Sequence, residues 1–145
     1  MKKLILLALF LLPLLTFSQT QVGNDIDGEA TNDQSGYSVS MDSDGSHVAI
    51  GAWFNNANGS ASGHVRIYSW DGSAWTQVGN DIDAEASYDL SGSSVSIDSD
   101  GSHVAIGAYW NDGNGSKSGH VRIYEYSSGS WSQVGNDIDG EAEDD

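Results

Sequence analysis

The 145-residue chain has no cysteine and one proline. Without cysteine it has no disulfide to support a small exported domain, and no residue behind its leader that could carry a lipid anchor. Basic residues are nearly as scarce, five against 21 acids, for a net charge of −16. Two of the five, Lys2 and Lys3, open the chain. Beyond them only Arg66, Lys117 and Arg122 face the 21 acids, a net −18. Such a surface repels nucleic acid and anionic lipid; it suits high salt or divalent cations. After residue 18 no stretch has the apolar period of a helix. The one long apolar run, Leu4 to Leu15 interrupted by Pro13, is shorter than the ~20 residues of a comfortable membrane span. Placed between Lys2-Lys3 and Thr16-Phe17-Ser18, it reads as a secretory signal peptide over 1–18, cut between Ser18 and Gln19. A secreted protein, extracellular or at the cell surface, is the expectation, with no membrane attachment after cleavage. Five Trp, six Tyr and regular Val/Ile alternation argue against disorder in spite of the charge.

What is abundant is repetition. "QVGNDID" occurs at 21–27, 77–83 and 133–139, at intervals of 56 residues. Residues 21–76 align with 77–132 without a gap, roughly two-thirds of positions being identical, which marks a repeat array. "DSDGSHVAIGA" at 42–52 returns unchanged at 98–108, and "SGHVRIY" at 62–68 returns at 118–124.

Each unit reads as four short strands. Ser38–Met41 alternates Val39 and Met41 against serines, and Asp44-Gly45 marks a turn. His47–Ala52 puts Val48, Ile50 and Ala52 on one face and the small Ala49 and Gly51 on the other. A polar loop leads to His64–Tyr68, and Asp71-Gly72 turns the chain into a fourth strand, Trp75 to Ile82, which contains the repeated string. Four antiparallel strands per repeat is the pattern of a β-propeller blade; a two-sheet β-sandwich is the alternative. The expected layout is a leading outer strand and acidic loop at 19–36, one blade at 37–82, a second at 93–138, and the start of a truncated third repeat at 139–145. As a fragment of a larger propeller, the pair would leave Val39, Ile50, Val104 and Ile123 facing water and would self-associate.

"SGYSVS" (35–40), "VAIGAW" (48–53) and "GHVRIY" (63–68) resemble, in order and spacing, three segments of the FG-GAP repeat. That repeat is the blade of integrin α-subunit propellers and of many secreted bacterial proteins. The resemblance implies a propeller, a non-catalytic binding or adhesion role at the cell surface, and a calcium loop. This chain departs from the pattern at Ser35 and Ser91, where the family has Phe, and at Trp53 and Tyr109, where it has Pro. The loop matching the calcium site is shortened to Asp42-Ser43-Asp44-Gly45, with His47 near the place of the last acidic ligand.

The candidate metal ligands fall in two groups. Asp42 and Asp44, with Asp98 and Asp100, stand two residues apart, too few oxygens alone for the six to eight that Ca²⁺ takes; a hairpin turn is the competing reading. Asp25, Asp27 and Glu29, with Asp81, Asp83 and Glu85, form richer acidic loops that could hold Ca²⁺ or simply be solvated. His47, His103, His64 and His120 each begin a strand beside a turn, and no Asp or Glu lies at a zinc-motif spacing from them. They are expected to pack against neighbours. Trp53, Phe54, Tyr109 and Trp110 enter the polar loop after the second strand, either to stack on sugar rings as a ligand site or to pack between blades. With no nucleophile elbow, phosphate loop or paired catalytic carboxylate, the chain is expected not to be an enzyme. Its partner would be a protein or glycan ligand; a carbohydrate-binding or carbohydrate-active propeller is the second reading.

Overall fold

The computed structural model describes residues 19–145. The signal-peptide expectation falls on residues 1–18, outside the described part. All regular structure among the described residues is β, and no helix there is long and apolar enough to cross a membrane.

The first unit runs β1 (Ser38–Met41), β2 (His47–Ala52), β3 (His64–Trp70), β4 (Trp75–Gln77) and β5 (Ile82–Asp83). The second repeats it as β6 (Ser94–Ile97), β7 (His103–Ala108), β8 (His120–Ser127), β9 (Ser130–Gln133) and β10 (Ile138–Asp139). Within each sheet every strand pairing is antiparallel, in the order β1-β2-β3 with β4 and β5 both on the outer edge of β3, and the second sheet is built alike; a single parallel bridge joins Gly63 to Ser91. The turns form where expected, with Gly45 at φ 78° and Gly101 at φ 75°, angles glycine adopts without strain.

The predicted fourth strand, Trp75 to Ile82, is broken. Gln77 lies opposite Tyr68 and Ile82 opposite Val65, so Val78 to Asp81 face only Arg66 and Ile67. Gly79, at φ 72°, turns the chain within this bulge. The repeated string supplies each part of it. Gln77 Nε2 donates to Asp81 Oδ1 at 2.6 Å, and the same clamp joins Gln21 to Asp25 and Gln133 to Asp137. Val78 and Ile82 turn inward, and Gly79 lies against the Trp131 and Tyr126 rings of the next unit. Trp131 Nε1 donates to Val78 O at 2.8 Å, and Arg122 donates to Asp83 O at 3.1 Å. The first copy does the same to the first unit, Trp75 Nε1 reaching Val22 O at 3.0 Å and Arg66 reaching Asp27 O at 2.9 Å. The middle copy therefore closes the edge of one sheet and fastens it to the next, the first copy only fastens and the third only closes an edge.

Each sheet has two unlike faces. One carries Val39, Met41, Val48, Ile50 and Tyr68; the other carries Ser38, Ser40, Ala49 and Gly51 toward its inner edge, with Val65, Ile67 and Ile82 outward. The principal core lies between the units. Ala49, Val65, Ile67 and Ile82 of the first meet Ile97, Val104, Ile106 and Tyr124 of the second. Small residues allow the approach: the backbone at Gly92 sits so close to Gly51 that a Cβ there would come within 2.1 Å of Gly92 O. Ser38 Oγ donates to Gly92 O at 2.7 Å, and the Ile97 amide donates to Ser40 Oγ at 3.1 Å. Small face thus packs on large face, a head-to-tail contact that can continue from unit to unit, as blades do.

The expectation that both outer faces lie bare is corrected in part. Val104 is in the inter-unit core, and Ile50 is buried with Val48 and Tyr68 beneath Ile26 and Trp75. The leading segment thus acts as a partial cover, although it forms no strand of its own. Val39 and Met41 are exposed and Ile123 is half-buried.

Candidate functional site

The aromatic residues come together. Tyr37 stacks on Trp53 with ring centroids 4.7 Å apart, and Trp53 stacks across the unit boundary on Tyr109 at 6.5 Å. Phe54 and Trp110 meet these rings edge-on, at 5.4 and 5.9 Å. The Trp53 indole N–H is held by Gln34 Oε1 at 2.9 Å, and Lys117 Nζ stands 4.7 Å above the Trp110 ring. Buried hydrogen bonds fix the loop beneath, Asn55 donating to Asp33 at 2.8 Å. The packing reading holds for Trp53 and Tyr109, whose rings meet between the units, while Tyr37, Phe54, Tyr109 and Trp110 stay exposed. Together they form one strip across the two units.

The Asp42 and Asp98 turns do not fit a calcium site. Asp42 Oδ2 takes hydrogen bonds from the His47 ring at 2.8 Å and from Ser46 Oγ at 3.0 Å. Asp98 does the same with His103 and Ser102, and its second oxygen accepts the His103 amide at 3.0 Å. Burial raises these carboxyls, but the histidine amide, the histidine ring and the serine hydroxyl outweigh it and hold both at about 2. Asp44 and Asp100 each cap a turn by accepting a serine amide, at 2.9 and 3.1 Å. Apart from Asp42 Oδ1, which is buried without a partner, these carboxylates are engaged within the turn, so too few oxygens are left for the shell that Ca²⁺ requires. His47 packs against Gly101 of the next unit, as expected of a strand-end histidine.

The acidic loops are regrouped. Asp25, Asp27 and Glu29 do not act as one set, nor do Asp81, Asp83 and Glu85. Glu29 instead joins Asp81 and Asp83 around His64, with Oε2 at 3.9 Å, Oδ2 at 3.6 Å and Oδ1 at 4.0 Å from His64 Nδ1. Glu85 and Asp137 gather likewise with His120, whose Nδ1 is 3.6 Å from Asp137 Oδ2. Arg66 borders the first cluster, 3.6 Å from Glu29, and Arg122 the second, 3.4 Å from Glu85. Burial, and next the neighbouring Asp81 carboxylate, raise the Asp83 carboxyl. Asp25 only accepts from Gln21, and Asp27 offers its carbonyl to Arg66.

The sequence reading takes His64 and His120 as packing residues, since no Asp or Glu stands at a short ligand spacing from them, and it does not single out Asp137. Here the clustered side chains come from a strand, a bulge and the loop that precedes the sheet. The signal that was present is the repeat itself: His64, Asp81 and Glu29 recur in register as His120, Asp137 and Glu85.

No curated protein matches the chain. A family model for the FG-GAP repeat matches it twice, at residues 25–68 and 81–124. The two matches cover more than half of the sequence and coincide with the two sheets up to their third strands: the chain belongs to the FG-GAP repeat family.

Proposed function

We propose that this protein is a secreted, non-catalytic recognition module with β-propeller-like blades, acting at the cell surface. The observation that carries the reading is the aromatic strip of Tyr37, Trp53, Phe54, Tyr109 and Trp110. Exposed rings held rigid by stacking, among Asn, Gly and Ser, offer large contact area at little entropic cost. Rings stepped from one unit to the next suit an extended ligand, and sugar faces stack on such rings, which favours a glycan over a protein epitope. Probing a glycan array and a cell-surface binding assay with wild-type protein and Trp110→Ala tests it. Binding lost in the variant supports the strip; binding that persists unchanged sinks it, and turnover of any bound glycan would sink the non-catalytic part.

The faces left open favour self-association in the same head-to-tail sense. The second unit presents its small face, with Val121 and Ile138 exposed, and the first presents Val39 and Met41. These are the two sides of the contact already made between the units, and a head-to-tail contact closes into a ring when its rotation allows. Sedimentation should show species larger than a monomer; a monodisperse monomer with one sharp melting transition would exclude this.

A further inference from the structure

We propose that His64 with Glu29 and Asp81, and His120 with Glu85 and Asp137, form two copies of a binding site for a divalent transition-metal ion of the zinc class. The inference goes beyond the recognition role and stands even if the aromatic strip binds nothing. Its first support is a buried nitrogen without a partner: the His64 and His120 side chains are each 1% exposed, and neither Nδ1 makes a hydrogen bond. Leaving such a group unpaired is costly. Its second is spacing. Within each trio the ligand atoms all lie within 4.8 Å of one another. Two ligands held about 2.1 Å from one tetrahedral ion stand about 3.4 Å apart, close to the 3.6 Å between His64 and Asp81. A plain histidine–aspartate pair in this protein closes to 2.8 Å, as His47 does on Asp42. His64 and His120 stand back from their carboxylates by a distance that an ion spans.

The surroundings support the same reading. Gln77 holds Asp81 Oδ1 at 2.6 Å, leaving Oδ2 directed at His64, and Gln133 holds Asp137 alike. Ligating carboxylates are commonly fixed by such a second hydrogen bond. Glu29, Asp81 and Asp83 bring three carboxylates against the single guanidinium of Arg66, which leaves the carboxylates two charges over the guanidinium. One divalent ion closes that gap. The donor set chooses the class: imidazole nitrogen with carboxylate oxygen suits zinc and its transition-metal neighbours, whereas Ca²⁺ takes oxygen alone. Because Glu29 comes from the loop before the unit and His64 and Asp81 from within it, the ion ties each blade to the segment that precedes it.

The test is a titration of chelator-treated protein with Co²⁺, read by its visible d–d absorption, followed by Zn²⁺ displacement. Two ions per chain are expected, one per cluster. His64→Gln should leave one, and His64→Gln with His120→Gln none. Glu29→Gln with Glu85→Gln, which changes only exposed side chains, should weaken binding by about tenfold or more, with the β-sheet circular dichroism unchanged. Zn²⁺ should displace the colour, and about a hundredfold excess of Ca²⁺ should not. Absence of Co²⁺ uptake at micromolar concentration, uptake unaltered in the histidine and glutamate variants, or displacement by Ca²⁺ as readily as by Zn²⁺ would each overturn the proposal. The clusters would then be plain ion pairs or oxygen sites.

Discussion

The two units share about two-thirds of their sequence and are differently buried. Val65 is 0% exposed and its counterpart Val121 38%; Ile82 is 4% exposed and Ile138 57%. Registers match throughout and only the outer hairpin turn differs, residues 71–74 against 128–129, so the difference in burial does not come from the units. It lies in what covers them: the small face of the first unit is capped by the second, whereas that of the second has no neighbour among the described residues. A repeat sets its own backbone, but its burial comes from the next repeat. Stability here is therefore a property of the boundary more than of either sheet.

The largest test of that comparison is a matched pair of truncations. Ile82→Ala removes a side chain from the inter-unit core and should cost about 3 kcal/mol. Ile138→Ala makes the same change on an exposed face and should stay within about 0.5 kcal/mol. Denaturant unfolding of the two variants measures both, and equal costs would mean that the boundary is not where the stability resides.

Glycine supplies the next contrast. At Gly51 an added Cβ would meet the Gly92 carbonyl oxygen at 2.1 Å, backbone against backbone across the boundary. At Gly107 it would meet only Ser94 Oγ, at 2.3 Å, which a hydroxyl rotation relieves. Gly51→Ala should cost about 2 kcal/mol through overpacking and separate the units, while Gly107→Ala should cost well under half of that. Amide exchange at the inter-unit contacts, where the Ile97 amide donates to Ser40 Oγ, follows the separation.

What the sequence made legible was whatever depends on local chemistry. Period-two strands, Asp-Gly turns and the small Ser40, Ala49 and Gly51 were readable, because alternation and size act within a few residues. The fourth strand was misjudged because residues 75–78 and Ile82 were joined across Gly79-Asn80-Asp81, residues that disfavour strands and that form the bulge; tertiary contact adds that Gly79 turns against Trp131. The burial of Ile50 was missed because its cover, Ile26, lies on a segment with no strand partner. The histidine–carboxylate clusters were hidden for the same kind of reason. His64 and Glu29 are 35 positions apart in the chain, and nothing short-range links them. Asp42 and His47 were legible as a turn and a strand start, but their mutual hydrogen bond was not.

A smaller effect is expected at the two tryptophans that receive the repeated string. Trp131→Phe loses the hydrogen bond to Val78 O and should cost about 1 kcal/mol. Trp75→Phe loses the equivalent bond to Val22 O, but that residue belongs to a segment outside any strand. Its global cost should be smaller and its local effect larger. Amide exchange should speed up across 21–27 in Trp75→Phe and leave 77–83 unchanged; the reverse pattern would show that the first string is not a cover.

The smallest effect separates the two aspartate turns. Asp42 and Asp98 are both held at about 2, below the usual 3.8, by the same three donors. Their exposure differs: the Asp42 side chain is 1% exposed and that of Asp98 36%. A carboxylate depressed in the folded state stabilises it above the unfolded pKa and loses that contribution as pH falls through the folded value. The window is therefore between about pH 4 and pH 2, and within it the protein should lose stability as acid is added. Solvent screens the exposed pair more than the buried one, so the two turns should not share the loss equally. Asp42→Asn should cost about 1 kcal/mol at pH 7 and flatten the acid limb of the melting curve, whereas Asp98→Asn should cost a few tenths and leave most of that limb in place. Thermal melts of both variants at pH 7 and pH 3 decide it. If the two behave alike, the cover over the first turn has no electrostatic consequence, and the contrast between the units is one of packing alone.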